Sequence, residues 1–321
     1  MDLEQLRSKI SAFRESRIIY TALHWRLFDF IKDGNTAKNI AESAETDSRG
    51  TERLLNALVA MEILQKDNGK FRHTELSRRY LTESSPESQL ESLLHSGQSW
   101  KNWSDLPEIV KTGELPERKR VFDDPERYRT FILAMHDYQE EQAPEVVRQL
   151  EVKPNARILD CGGGPGTYAR AFAREYPQAA VTLFDLPDAI EIAKEFESPP
   201  QNLDYRSGDF FLDDLGGSYD LVFLSNIIHS HSPERNKILL RRIAEALASG
   251  GELIIRDRYL DETGTVPKGA VIFGLHMLVN NLEGGTYTVD ETQKWLRETG
   301  FENPDYRTIE NHTEVVIGYK E

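Results

Sequence analysis

Cysteine, positive charge and long apolar runs are all scarce in this chain, and each shortage narrows what it can be. Cys161 is the only cysteine among 321 residues, which excludes an intramolecular disulfide framework and fits a reducing compartment. Its position inside a glycine-rich turn suits a small buried filler better than a reactive thiol. No apolar stretch approaches the length of a membrane span, and Asp2, Glu4, Arg7, Lys9, Arg14, Glu15 and Arg17 interrupt the stretch where a signal peptide would carry its apolar core. A cytoplasmic protein with no membrane partner is expected. Lys and Arg number 39 against 54 Asp and Glu, a formal net charge of −15. The first 85 residues are close to balanced, so the acidic excess lies beyond them and would repel nucleic acid.

The length favours two domains. Ile18, Ala22, Leu23, Leu27, Phe28 and Ile31 recur at helical spacing up to Asp33-Gly34. A second short helix is expected over Asn35 to Ala44 and a third, capped by Ser48, through Leu54, Leu55, Leu58 and Val59. Ile63 to His73 then reads as two strands around the turn Asn68-Gly69. Together these make a winged-helix shape, a module that reads DNA in many regulators. The third helix offers only Arg49 and Arg53 as cations, which favours a protein interface over a DNA one. The polar run Thr82 to Ser88 marks a boundary. The expected division is 1–85, a helical connector over 86–150, and a larger domain over 151–321.

Beyond Lys153-Pro154 strand and helix signals alternate, so an α/β domain with a mostly parallel sheet is expected. Strands are read at 156–160, 180–185, 203–207, 219–225 and 251–257. Two more, near 304–308 and 313–319, leave no room for a crossover helix and so form an antiparallel hairpin.

The most informative stretch is Leu159-Asp160-Cys161-Gly162-Gly163-Gly164-Pro165-Gly166-Thr167. It lies between an apolar strand and an amphipathic helix, where glycines let the backbone turn sharply and approach a ligand. A dinucleotide fingerprint counted from Gly162 requires glycine at 167, where this chain has threonine. The register that fits is Asp160, Gly162, Gly164, Gly166. An acid at a strand tip opposes a pyrophosphate and favours a cation, which points to S-adenosylmethionine over a nicotinamide. The other strands also end in polar residues: Asp185-Leu186, Asp209-Phe210, Ser225-Asn226, and Arg256-Asp257. In an open sheet ligands bind at these carboxyl ends; Asp185 suits ribose hydroxyls, and Asp209 with Phe210 suits an adenine.

Taken together, Asp160 to Gly164, Phe184-Asp185-Leu186-Pro187, Gly208-Asp209-Phe210-Phe211, Asn226-Ile227-Ile228-His229, Gly284-Gly285 and Gly300-Phe301 resemble the S-adenosylmethionine-dependent O-methyltransferases that pair a winged-helix dimerisation domain with a Rossmann-like class I methyltransferase domain. The resemblance covers almost the whole chain. It implies a homodimer, S-adenosyl-L-methionine as cofactor, and a hydroxylated, aromatic small-molecule acceptor. It places Gly162, Asp185, Asp209, Phe210 and Ser225 at cofactor-contacting positions and His229 at the general base, flanked by Asp257. The pattern is also broken: Ser230-His231 stands where the family has Asp-Trp, and Thr286-Tyr287-Thr288 where it has a second flanking acid.

An ordinary phenol and an ordinary imidazole differ by about 3.5 pKa units, or roughly 5 kcal/mol, so proton removal during attack is cheaper than prior deprotonation. Phe131, Met135 and His136 on one helix, with Phe273, His276, Met277 and Asn280 on another, are the expected acceptor pocket. His231 two residues after His229, with Asp257, also permits a metal reading, but the set is incomplete and no metal is expected. Transfer to sulfur or carbon, or a ligand-sensing regulator, are the alternative functions.

Overall fold

The computed structural model describes residues 1–117, 121–196, 198–309 and 313–321, and its contacts divide into two compact units, Met1–Trp100 and Lys101–Glu321. The first holds α1 (Leu3–Ser11), α2 (Phe13–His24), β1 (Asn35–Thr36), α3 (Ala37–Ser43), α4 (Ser48–Ala60), β2 (Leu64–Asp67), β3 (Lys70–His73) and α5 (Glu75–Tyr80), while α6 (Leu90–Ser104) runs across the division. Leu23, Leu27, Phe28, Ile31, Ile40, Leu55, Leu58 and Phe71 form its core.

Three local expectations are corrected here. The helix expected through Ile31 stops at His24, because Arg26 adopts a left-handed φ of 51° and Leu27–Phe30 continue as a 3-10 turn. Asn35 and Thr36 belong to a strand, with Thr36 capping α3. Asp47, not Ser48, caps α4, its Oδ1 accepting from the Gly50 nitrogen at 2.7 Å. The hairpin is as expected: Asn68 and Gly69 have φ of 50° and 78°, the conformation a two-residue turn between twisted strands demands. β1 adds to it in the order β1-β3-β2. Helix α1 buries none of its residues, leaving Leu3, Leu6 and Ile10 in solvent at 61%, 41% and 67% exposure.

The second unit continues with α7 (Leu106–Thr112), α8 (Pro125–Asp137), α9 (Ala143–Arg148), β4 (Arg157–Cys161), α10 (Thr167–Glu175), β5 (Ala180–Asp185), α11 (Pro187–Glu195), β6 (Leu203–Ser207), β7 (Tyr219–Ser225), α12 (Pro233–Ala246), β8 (Leu247–Arg256), β9 (Tyr259–Leu260), α13 (Lys268–Asn280), β10 (Tyr287–Thr288), α14 (Val289–Glu298), β11 (Glu302–Ile309) and β12 (Thr313–Tyr319). Its main sheet runs β11-β12-β8-β7-β4-β5-β6. Strands β4 to β8 are parallel, and β11-β12 is the antiparallel hairpin.

Alternate residues of the central strands face opposite sides, and both sides are apolar. Ile158, Leu221, Phe223, Ile254 and Val315 pack with Val146, Tyr168, Ala169 and Phe172 on one face. Leu159, Val222, Leu224, Ile255 and Val316 pack with Leu239, Ile243, Trp295 and Leu296 on the other. Strand order reverses between β4 and β7, which opens a crevice over their carboxyl ends.

Candidate active site

The loop after β4 owes its shape to its glycines. Gly162, Gly164 and Gly166 all have positive φ, of 71°, 54° and 76°, a region costly to residues with a Cβ. A Cβ at Gly162 would lie 2.7 Å from Ile227 Cδ1 and 3.4 Å from Phe210 Cε1. Three segments thus meet at the carboxyl end of the sheet: the loop after β4, the turn after β6, and the segment after β7.

Asp160 lies beneath this loop. It is 1% exposed; one oxygen accepts from the Ala169 nitrogen at 2.9 Å, while Oδ1 is buried with no partner. A side chain at Gly163 would strike the Asp160 carboxylate, so the acid supports the turn from below. Burial raises its pKa to about 7.

Asp185, at the tip of β5, uses each oxygen once. Oδ2 accepts from the Gly164 nitrogen at 2.7 Å and Oδ1 from the Leu186 nitrogen at 2.6 Å. Each oxygen keeps a lone pair for a ligand hydroxyl, and burial lifts the carboxyl to about 6 against the pull of those two bonds. Asp209 Oδ1 accepts from the Phe211 nitrogen at 2.7 Å, which leaves Oδ2 for another donor. The Phe210 ring stands edge-on to Phe211 and His231, with centroids 4.8 and 5.7 Å away. Acids beside an aromatic ring at these strand ends suit hydroxyls, an amino group and a flat ring; a pyrophosphate would meet like charge.

His229 sits in the single 3-10 turn that follows β7. Its Nδ1 is 2.8 Å from Asp257 Oδ1, and its backbone nitrogen donates to Asp257 Oδ2 at 3.3 Å. Asp257 Oδ1 also accepts from the Arg258 nitrogen at 2.8 Å. A carboxylate only accepts, so the neutral ring carries its proton on Nδ1 and its lone pair on Nε2. The Phe273 ring stands edge-on to His229 at 4.8 Å. Behind the pair, the Gly285 nitrogen donates to the His229 carbonyl at 2.8 Å, and Asn281 Nδ2 donates to the Ser230 carbonyl at 2.6 Å.

On α13, His276 stacks on Phe273 with centroids 5.7 Å apart. Its Nδ1 accepts from Trp103 Nε1 at 3.3 Å; Asn280 Oδ1 accepts from Asn102 at 2.5 Å. Burial, then the neighbouring His229 and Arg258, holds the His276 imidazole below its ordinary pKa. Indole only donates, so a neutral His276 carries its proton on Nε2.

Residues 116–302 match the O-methyltransferase domain model, and residues 8–83 match the O-methyltransferase dimerisation domain. The chain belongs to the O-methyltransferase family. It is 29% identical to acetylserotonin O-methyltransferase of Gallus gallus, with 97% of this chain and 95% of that protein covered. It is 31% identical to a probable bifunctional dTTP/UTP pyrophosphatase/methyltransferase protein of Homo sapiens over 92% of its own length, spanning 50% of that larger protein. The crystal structure of human N-acetylserotonin methyltransferase, a complex with SAM, superposes with a TM-score of 0.89 at 26% identity, covering 100% of this chain and 98% of that one. Membership of an O-methyltransferase family favours oxygen over sulfur or carbon, and over a regulator.

Within this O-methyltransferase the expected residues fall into three places. Gly162 meets Phe210 and Ile227, Asp185 accepts from Gly164 and Leu186, and Asp209 accepts from Phe211; Gly166 packs toward Leu183 and Arg170, and Ser225 and Asn226 stand at the tip of β7. Phe273, His276 and Asn280 gather on α13 near the His229–Asp257 pair, and Met277 is buried on the same helix. Helix α8 is held elsewhere: His136 Nδ1 is 2.9 Å from Thr167 Oγ1 and its ring is 4.6 Å from that of Phe196. Phe131 stacks with Tyr128 in a cluster with Ala189 and Ile192, and Met135 is half-buried on α8. Ile132 Cδ1 lies 4.0 Å from a Cβ at Gly164, so α8 covers the glycine loop.

Ile227, Trp103, Asn102 and Tyr128 are the residues that sequence reasoning did not single out for the site. Ile227 and Trp103 carry the ordinary signature of core residues, and nothing in their spacing marks them. Tyr128 is buried, and its hydroxyl is pushed up by burial and by the charges of Asp185 and Asp188. His231 packs edge-on against Phe210 and Phe211; burial and then Arg235 hold it down to about 4. Among the described residues no three His, Cys, Asp or Glu side chains gather as a metal site.

Proposed function

We propose that this enzyme transfers the methyl group of S-adenosylmethionine to a hydroxyl of an aromatic small molecule, with His229 as general base. When bound, the sulfonium supplies an electrophilic methyl. The chain's own residues do the rest. Asp185 takes the ribose hydroxyls, Asp209 and Phe210 the adenine, and the glycine loop lets the backbone close over the nucleoside. His229 Nε2 takes the hydroxyl proton as the oxygen attacks, and Asp257 orients the ring through Nδ1 and stabilises the imidazolium that results. Phe273, His276 and Asn280 form the acceptor's wall, with a donor at His276 Nε2 suited to an acceptor oxygen.

The observation that carries this reading is the buried His229–Asp257 pair, 2.8 Å apart, with His229 on the same short segment as Ile227, which packs against Gly162 of the glycine loop. The experiment is His229→Ala, assayed against a panel of hydroxylated aromatics. Affinity for S-adenosylhomocysteine should be retained while turnover falls by about 10²–10⁴-fold; unchanged turnover removes the base assignment.

We further propose that the chain works as a homodimer in the cytoplasm, through a winged-helix module at residues 1–85, with 86–150 as helical connector and 151–321 as the donor-binding domain. The dimerisation-domain match over 8–83 and the solvent-facing apolar stripe of α1 support the dimer. The order α3, α4, β2, β3, with β1 alongside, supports the winged helix. The acidic balance of the chain supports a function without nucleic acid.

A further inference from the structure

At the tip of β8, on the far side of β7 from Asp185 and Asp209, lies Arg256. It is in register with Ser225, and its side chain leans over the Tyr168 ring, 5.4 Å from the centroid. Nη1 is 3.3 Å from Ser225 Oγ, and Nη2 is 3.3 Å from Gln142 Oε1. Both bonds are long for a guanidinium donor. Nε is buried with no partner, and so is the Tyr168 hydroxyl beside it. Among the described residues the side chain has only neutral partners and no carboxylate.

A part-buried guanidinium held by two stretched neutral bonds, with a third donor unused, is a seat for an anion. The donor offers one. Its nucleoside end meets Asp185 and Asp209; its other end is an amino acid whose α-carboxylate would be repelled by those acids. Neighbouring strands lie about 4.8 Å apart, so the tips of β5 and β8 are separated by roughly 14 Å, a span that ribose, a short aliphatic tail and the Arg256 side chain reaching back to Ser225 on β7 can bridge. We infer that Arg256, steadied by Ser225, binds the α-carboxylate of the methyl donor and so orients the amino-acid end of the cofactor. The crevice then carries charge of both signs, matched to a zwitterion with its nucleoside at one end.

This assignment rests on S-adenosylmethionine as donor, and calorimetry separates the two. Wild type, Arg256→Gln, Arg256→Lys and Ser225→Ala are titrated with S-adenosylhomocysteine and with 5′-methylthioadenosine, which keeps the nucleoside thioether and lacks the amino acid. Arg256→Gln should weaken S-adenosylhomocysteine by about 10- to 100-fold, as expected for a lost charge-assisted pair, and move 5′-methylthioadenosine by less than about 2-fold. Arg256→Lys should restore part of the loss, and Ser225→Ala should show a smaller loss confined to the full ligand. Equal weakening of both ligands would make Arg256 a brace between β8 and Gln142, and no weakening of either would remove it from the site; each result overturns the assignment. A wild type that binds neither ligand overturns the donor itself.

Discussion

Asp257 grips His229 at two atoms, Oδ1 at 2.8 Å from the ring Nδ1 and Oδ2 at 3.3 Å from the backbone nitrogen. The acid therefore sets both the tautomer and the position of the turn that carries the ring. Asp257→Ala should lower kcat by about 10²–10⁴-fold with little change in S-adenosylhomocysteine affinity. Asp257→Asn should lose less, because its amide oxygen can still accept from Nδ1–H while carrying no charge to stabilise the imidazolium. Steady-state kinetics and calorimetry read the two effects separately, and equal kcat in all three proteins would contradict the support assigned to Asp257.

A second expectation concerns pH. Burial raises Asp185 to about 6, so without ligand its contribution to stability is full below about pH 4 and lost as pH rises through about 6. Ligand binding runs the other way, because the ionised carboxylate is the better acceptor for hydroxyls. S-adenosylhomocysteine affinity should therefore rise between pH 5 and 7, and Asp185→Asn should flatten that rise while lowering affinity. Titration calorimetry across this window checks it; an affinity falling over the same range would contradict the ribose assignment.

The third concerns assembly. Leu6 and Ile10 on α1 are exposed, although the Asp2 and Gln5 capping box fixes the helix start. Each such side chain is worth about 1.5–3 kcal/mol when buried. Leu6→Glu with Ile10→Glu should raise the dimer dissociation constant by about 100-fold or more, measured by sedimentation velocity on the full chain. A dimer of unchanged strength would move the interface off α1.

Legibility of the fold in the sequence followed the strength of local chemistry. The glycine loop, the Asn68-Gly69 hairpin and strands β5, β6 and β7 are written in residues that have few other uses, so their positions emerged nearly to the residue; β8 begins at Leu247, four residues before the expected 251, because Ser249-Gly250-Gly251 carries no strand mark. Arg26 was illegible for the opposite reason: a left-handed arginine carries no mark, so α2 looked continuous through Ile31. At the site, strand tips announced Asp185, Asp209 and the Ser225 to His229 segment, because an acid or amide at the end of an apolar run has little reason to be there except a turn or a ligand. The pairing of His229 with Asp257, 28 residues away, came through the family resemblance. Helical phase told which residues of α8 share a face and gave no hint of what that face meets. Only packing sets His136 beside Thr167.

Ile227 occupies the space that Gly162 leaves vacant, and His229 follows two positions later on the same brief segment. In the proposed reading, donor cradle and proton acceptor are thereby machined from one part, so neither can drift without dragging the other out of alignment. On α13, by contrast, His276 and Asn280 are tied to Trp103 and Asn102, so a change at either would be felt at the end of α6 while leaving the His229–Asp257 pair in place.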